Sequence, residues 1–248
     1  MIRHQVETAR KIYESYLPFA ESEDRFVNKQ FAELEAYATN HIEGNPYTLE
    51  ETRTLLNYGL PAKNKTFAES TEIYNSFNSI NLLYDLVNNG SNLTEDLIKE
   101  VHSIVTRNTL KDSYCGHYKT VRNWVGNIET SSPEHVPVHM KKLLDWYNHN
   151  KDLMDPIQLA VEFKYRFLCI HPFVDGNGRT SRWIMNFILM SNGYHLTVIM
   201  DKFRDEYFDV LNKCNKNDVK PIIAFICKMI SNSYKMAIDI IEDFHSIG

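Results

Sequence analysis

The chain has 248 residues, of which 43% are hydrophobic and 24% are charged, and its formal net charge is −5. This composition is typical of a soluble globular protein with one sizeable core. The acidic balance argues against general nucleic-acid binding, which needs a basic surplus, and no apolar run is long enough to span a membrane.

Two further features predict a cytoplasmic protein. The N-terminal residues lack the apolar segment of a secretory signal. The four cysteines, at positions 115, 169, 214 and 227, show no C-x-x-C pairing. Unpaired cysteines are typical of a reducing compartment. We therefore expect a protein of the cytoplasm that binds neither nucleic acid nor membranes.

The first segment with a clear helical pattern covers residues 28–43. Its apolar residues recur at the three-and-four spacing of one buried face, and Gly44 and Pro46 predict its end. Thr39 and Glu43 are four residues apart, so their side chains share a face of this helix. From the residues alone, Glu43 is interpreted as a solvated acid at a helix end.

Two more apolar helices are predicted over residues 67–87 and 95–105, and His102 on the second is interpreted as packed or exposed rather than catalytic. Residues 118–138 then break the helical pattern, with a Gly-Asn pair between short apolar stretches. This pattern predicts a short two-stranded hairpin followed by a loop.

A polar loop joins the next two apolar helices, predicted over residues 157–170 and 180–190. The loop and the start of the second helix hold one base, one acid, two glycines and two arginines within twelve positions. Glycine allows the backbone to approach a ligand closely, and the N-terminus of a helix favours an anion. Arginines three apart on one helical face can both bind phosphate oxygens. This composition indicates phosphate chemistry.

The same segment resembles the signature of the Fic family, His-x-Phe-x-Asp/Glu-Gly-Asn-Gly-Arg-x-x-Arg. All eight fixed positions match, at His171, Phe173, Asp175, Gly176, Asn177, Gly178, Arg179 and Arg182. Fic proteins typically transfer AMP from ATP to a hydroxyl side chain of a target protein. The resemblance therefore implies a protein adenylyltransferase that modifies Tyr, Thr or Ser. It also implies a mainly α fold, a single helical domain in which the hairpin at 118–138 is a flap beside the active site.

The resemblance also implies roles for the residues of the signature. His171 is expected to take the proton of the target hydroxyl as general base, and Asp175 to bind Mg²⁺ as the cofactor of ATP. Phe173 is expected to point into the core. The predicted nucleotide-binding residues of this segment are Gly176, Asn177, Gly178, Arg179 and Arg182. Gly178 distinguishes the segment from the Doc-like kinase branch, which has lysine at that position.

Two shorter segments resemble other Fic elements. Residues 207–215 are similar to Tyr-Tyr-x-x-Leu-x-x-x-Asn, which implies that Tyr207 and Asn215 contact ribose and adenine, although Phe208 lacks the second hydroxyl. Thr39 and Glu43 match the inhibitory motif Ser/Thr-x-x-x-Glu-Gly/Asn, whose glutamate pairs with the last signature arginine, here Arg182. Residues 1–45 are therefore predicted to form an inhibitory segment, and residues 46–248 the catalytic core.

Several alternatives stay open at this point. The inhibitory glutamate of some family members positions a hydrolytic water, so Glu43 is also compatible with removal of AMP, or with both activities in one enzyme. A nucleotide-binding interaction module without catalysis is a third hypothesis, against which the presence of His171 and Asp175 argues. The expected partners are ATP and a target protein docked at the flap. A homodimer is an alternative to a monomer.

Overall fold

The computed structural model describes residues 2–125, 128–215 and 218–247, which form a mainly α-helical fold, as predicted. Besides two short 3₁₀ turns and two strands, the described residues form helices α1 Ile2–Glu14, α2 Glu21–Ile42, α3 Leu49–Tyr58, α4 Phe67–Asn88, α5 Glu95–Thr106, α6 Val136–Asn150, α7 Pro156–Ile170, α8 Asn177–Ser191, α9 Arg204–Lys213 and α10 Lys220–Ile247. None of these helices has the length and apolar character needed to cross a bilayer.

Helices α7 and α8 pack against each other at the centre of the fold. Helix α8 is buried along most of its length, and α4, α5 and α2 also contact it. The functional loop predicted from the sequence is the connection between α7 and α8. It therefore lies on a rigid frame of helices rather than on a free surface segment.

The N-terminal part of the chain contributes to the same core. Helix α1, which the sequence analysis did not predict, packs on α10 through Val6 and Ala9. Helix α2 begins seven residues before the predicted helix, at Glu21 instead of Asn28. Acidic residues fill its first turn, where they favour the helix dipole, and apolar periodicity alone does not detect such a start. The division into residues 1–45 and 46–248 stays a prediction.

The predicted flap region contains two very short strands. Strand β1, Trp124–Val125, pairs antiparallel with β2, Ile128–Glu129, and Trp124 lies opposite Glu129. The predicted turn at residues 126 and 127 lies outside the described residues. Helix α6 begins at Val136, so the last part of the region predicted as flap is already helical.

Candidate active site

His171 stands at the point where α7 ends. Its backbone takes left-handed angles, φ 51° and ψ 61°, and its N–H donates to the carbonyl of Phe167 at 2.9 Å. Residues other than glycine rarely adopt this conformation, and strained backbone angles of this kind cluster at functional sites. The turn stops the helix and leads the chain directly into the signature loop.

The imidazole of His171 is held in its neutral form. Burial lowers its pKa to about 4, with the charge of Lys119 acting in the same direction and those of Asp175 and Glu43 opposing it. Within the described part of the chain, the buried Nδ1 atom has no hydrogen-bond partner. At neutral pH the ring can therefore accept a proton, as a general base must.

A second histidine holds the signature loop in place, although the sequence analysis gave it no functional role. The ring of His102 stacks on Phe173, with centroids 3.7 Å apart and an interplanar angle of 7°. Its Nδ1 accepts from the N–H of Gly116 at 2.9 Å, so Nε2 carries the proton and donates to the carbonyl of Asp175 at 2.9 Å. Burial lowers the pKa of His102 to about 4, which keeps this tautomer neutral.

The loop itself is closed by short-range contacts. The Asn177 side chain accepts from the N–H of Phe173 at 3.0 Å and donates to its carbonyl at 2.9 Å. Gly176 has φ 75°, and a Cβ there would come within 2.7 Å of Thr106. Because Asn177 is also only 1% exposed, we expect any contact from Asn177 to a nucleotide to come from its backbone.

Asp175 points away from these contacts. One carboxylate oxygen accepts from the N–H of Gly176 at 2.7 Å, and the other lies 3.9 Å from Arg179. The side chain is 72% exposed. It is therefore available to a ligand that approaches the loop from solvent.

The predicted pair of Glu43 and Arg182 is present. Glu43 directly follows α2, and its Oε1 atom accepts from Arg182 at 2.7 Å. Arg182 also donates from Nε to the Thr39 hydroxyl at 2.8 Å and from its terminal nitrogen to the Thr39 carbonyl at 2.9 Å. A Cβ on Gly178 would overlap the Glu43 carboxylate. The carboxylate thus lies on the first turn of α8, where a helix N-terminus favours an anion.

Arg182 stays charged although only 2% of its side chain is exposed. Burial is the largest influence and disfavours the guanidinium ion, but Glu43, Tyr207 and Glu35 together outweigh it, so the pKa of Arg182 is raised. The pair holds two separate parts of the chain together, the end of α2 and the middle of α8.

Arg179 has a partner that sequence analysis missed. The side chain is 5% exposed and donates to Glu72 on α4 at 3.2 Å. Glu72 also accepts from the Asn45 side chain at 3.0 Å, which ties the segment after α2 to the same carboxylate. The sequence gives only a weak indication of this pair. The helical period places Glu72 on the inner side of α4 but does not show which residue it contacts.

Residues 92–189 match the model of the Fic/DOC family. The protein adenylyltransferase fic-1 of Caenorhabditis elegans is 32% identical over 198 residues, covering 79% of this chain and 39% of that relative. The protein adenylyltransferase Fic of Nematostella vectensis is 30% identical over 197 residues, covering 77% and 45%. The chain thus spans about two fifths of the length of these curated relatives.

Solved structures give the same result. A Fic domain containing signaling protein from Bacteroides thetaiotaomicron superposes with a TM-score of 0.87 at 27% identity, covering 96% of this chain and 98% of that one. Fic-1 of C. elegans gives a TM-score of 0.85 at 26% identity, covering 96% and 72%. The chain belongs to the Fic/DOC family.

The second Fic element is only partly accessible in the structure. Tyr207 is buried, and its hydroxyl accepts from Lys164 at 2.7 Å. Phe208 is exposed, with the Arg204 guanidinium 5.1 Å from its ring centre. Asn215 is exposed and exchanges two backbone hydrogen bonds of 3.1 Å with Asp218. The contact of Tyr207 and Asn215 with a nucleoside stays a prediction.

Proposed function

We propose that this chain is a protein adenylyltransferase that moves AMP from ATP to a hydroxyl side chain of a target protein. The observation that carries the proposal is the arrangement at the start of α8. The complete Fic signature contains a neutral His171, and the Glu43 carboxylate is bonded to Arg182, the arginine that the phosphates of ATP would need. Relatives named protein adenylyltransferase, at 30% and 32% identity, support the same activity.

In the proposed reaction, the loop and the first turn of α8 receive the phosphates of ATP. Unpaired N–H groups and the helix dipole favour the negative charge there. His171 takes the proton of the target hydroxyl while the oxygen attacks the α-phosphorus. The bond to the β-phosphate oxygen breaks, and pyrophosphate leaves with the electron pair. Arg182, once free of Glu43, offsets the charge of the phosphates.

The residues present fit Mg²⁺ as the cofactor. Asp175 offers an exposed carboxylate with one oxygen on a backbone N–H and the other 3.9 Å from Arg179. Mg²⁺ binds through one or two carboxylates together with substrate phosphates and water, and it would neutralise part of the phosphate charge. The described residues contain no cluster of three metal-ligating side chains, so this site would be completed by the nucleotide.

We further propose that Glu43 inhibits the enzyme. Its carboxylate neutralises Arg182 and occupies the place of an incoming anion, so ATP must displace it before its phosphates can bind. If the ion pair of Glu43 and Arg182 is favoured over the open form by about 1.4 kcal/mol, the fraction of Arg182 that is available to ATP falls about tenfold, and each further 1.4 kcal/mol lowers it tenfold again. Because Arg182 is almost fully desolvated, the preference exceeds that of an exposed ion pair.

Removal of AMP is the second candidate function. Glu43 is close enough to His171 to raise its pKa, and its side chain is 40% exposed. A carboxylate in that position could orient a water molecule toward a phosphorus atom. A bifunctional enzyme combines both activities, and a nucleotide-binding module without catalysis is the third hypothesis.

The test uses α-labelled ATP and Mg²⁺ with three proteins: wild type, Glu43→Gly, and Glu43→Gly with His171→Ala. Strong self-labelling of Glu43→Gly, weak labelling of the wild type and none of the double variant would support the proposal. Absence of label from all three, with a cell lysate present as target, would refute it. Release of AMP from modified protein by the wild type would favour the second candidate.

We propose that the target docks at the flap and that the protein forms a homodimer. Apolar side chains are exposed around the flap strands at Val121, Trp124 and Val138, and an extended target segment could pair with the strand edge there.

The proposed homodimer would use a second group of exposed apolar side chains, which lies along α3, α4 and the loop between them. Its members are Tyr58, Leu60, Phe67 and Tyr74. Light scattering of Phe67→Asp tests the dimer. The four cysteines form no disulfide among the described residues, which is consistent with the cytoplasm.

A further inference from the structure

A second carboxylate lies behind Arg182. Glu35 is on α2, two turns before Glu43 and one turn before Thr39, and only 3% of the residue is exposed. It lies outside the signature and outside the inhibitory motif. A buried acid in the middle of a helix is unusual, because desolvation of its charge is costly unless a partner compensates it.

Glu35 interacts with the same groups that hold Arg182. Burial raises the pKa of Glu35 to about 8, while the Arg182 charge and a contact with the Thr39 side chain oppose this rise. Thr39 is the residue whose hydroxyl accepts from Arg182 Nε at 2.8 Å. In turn, both Glu43 and Glu35 act to raise the pKa of Arg182. Arg182 therefore has one carboxylate at the site and another behind it.

Glu35 also borders a small internal cavity with room for about one water molecule. The polar side chains around it come from three helices: Thr39 on α2, Ser76 and Ser79 on α4, and Arg179 on α8. Among the described residues, the buried Nε atom of Arg179 has no hydrogen-bond partner. The environment of Glu35 is therefore polar enough to hold a charge when one is favoured.

The need for this second carboxylate arises when Glu43 leaves. A buried guanidinium ion without a counter-charge is strongly unfavourable. With Glu43 displaced and ATP not yet bound, the hydrogen bonds that Arg182 keeps among the described residues go to the hydroxyl and carbonyl of Thr39, which are uncharged. Among the described residues, Glu35 is a second carboxylate that acts on Arg182.

We propose that Glu35 is a positioning residue: after Glu43 leaves, its carboxylate becomes the counter-charge that keeps Arg182 in place, through Thr39, for the phosphates of ATP. This inference rests on the proposed AMP transfer. It gives the two signature arginines a common design, in which each has a carboxylate on a neighbouring helix, Glu72 for Arg179 and Glu35 for Arg182.

The exchange of counter-charges involves a proton. While Glu43 compensates Arg182, burial keeps Glu35 protonated near neutral pH. Loss of Glu43 favours the ionised form, and the proton goes to solvent. The charged or titratable groups facing Glu35 are Arg182 and Arg179 from α8 and Tyr84 from α4, while α5 contributes Val105 to the cavity. Release of Arg182 should therefore be easier at higher pH.

A thermal double-mutant cycle tests the counter-charge without any nucleotide. The four proteins are wild type, Glu35→Gln, Glu43→Gly and the double variant. We expect Glu35→Gln to leave Tm unchanged or higher in the wild type, but to lower it by about 5 °C in the Glu43→Gly background. An equal change in both backgrounds would overturn the inference. Since the readout is unfolding, the result stands even if the proposed activity fails.

Kinetics of self-labelling test the positioning role. In the Glu43→Gly background, Glu35→Gln should raise KM for ATP about tenfold and change kcat less than about twofold, because binding of phosphate by Arg182 is weakened. Glu35→Asp should restore part of the affinity. The KM of Glu43→Gly should fall with rising pH, and this dependence should disappear in the double variant. A structural defect would instead lower the labelled fraction equally at every pH.

Glu33→Gln in the same background is the matched control. Glu33 is on the same helix and is 1% exposed, but it faces α3, where it accepts from Asn57 at 2.9 Å. It should leave KM for ATP unchanged. Failure of Glu43→Gly itself to label would refute the proposed function, whereas labelling with an unchanged KM in the Glu35→Gln double variant would refute the role of Glu35.

Discussion

The two signature arginines have similar burial but very different partners. Arg179 pairs with Glu72, which lies within α4 and is also bonded to Asn45. Arg182 pairs with Glu43, which directly follows the last residue of α2 and has a partly exposed side chain. The Glu72 carboxylate is held by its position within α4 and by the hydrogen bond from Asn45, whereas the Glu43 carboxylate can leave Arg182 by rotation of its own side chain. The comparison shows how one short motif can contain a structural arginine and a regulated one.

The largest effect is expected from a substitution that removes the ion pair of Glu43 and Arg182. Glu43→Gly should raise self-labelling by about 100-fold, equivalent to about 2.7 kcal/mol, because Arg182 becomes available to ATP without competition. Glu72→Gln should give no such activation, since Arg179 is not the residue that Glu43 blocks. Initial rates with α-labelled ATP measure both. Activation of similar size by the two substitutions would mean that the arginines do not differ in function.

The next effect concerns the support that His102 on α5 gives to the signature loop. His102→Ala removes the stacking on Phe173 and the hydrogen bond to the Asp175 carbonyl, so the loop loses its support from α5. In the Glu43→Gly background we expect a drop in kcat of about tenfold or more, because a displacement of about 1 Å at a catalytic loop has effects of that order. Stopped assays at saturating ATP measure kcat.

Its matched control is His117→Ala, because the side chain of this exposed histidine bonds the carbonyl of its near neighbour Cys115 and not the signature loop. That substitution should leave kcat nearly unchanged. If both variants lost activity equally, the effect would come from general disturbance of α5 and the segment after it rather than from lost support of the signature loop.

A smaller effect concerns stability. Glu72→Gln removes the nearer of the two carboxylates beside the buried Arg179, at 3.2 Å, and leaves that of Asp175 at 3.9 Å. The free energy of unfolding should therefore fall by about 2 kcal/mol, somewhat below the cost of breaking a fully buried pair. Urea denaturation followed by circular dichroism measures it. Glu100→Gln, an exposed acid on α5, is the control and should stay within about 0.5 kcal/mol of wild type.

The smallest effect is in the pH profile. The pKa of His171 is lowered to about 4, so the ring is neutral and able to accept a proton above that pH, and protonated below it. The rate of Glu43→Gly should therefore be flat on account of His171 between pH 6 and pH 8 and fall only in acid. Because Glu43 raises the pKa of His171, its removal should move the acid limb slightly lower. A limb near pH 6.5, the unperturbed value, would contradict this environment.

The sequence predicted the elements whose geometry is local. The order of glycines and the asparagine determines how the loop turns, because Gly176 needs a positive φ and Asn177 bonds Phe173 four residues away. The spacing of Arg179 and Arg182 places them one turn apart on α8. The resemblance to the Fic family and the mainly α fold are confirmed, while the roles of the site residues stay predictions.

The tertiary structure decided which distant groups meet. Glu72 and Arg179 are 107 residues apart, and His102 and Asp175 are 73 apart, so no helical or strand period relates them. Glu35 could not be recognised from sequence, because an acid at that position has meaning only once α2 packs against α8 and removes it from water. Local conformation depends on backbone sterics and nearest neighbours, which the sequence states directly. The partner of a buried charge depends on how the helices pack, because packing alone determines which charges lose contact with solvent.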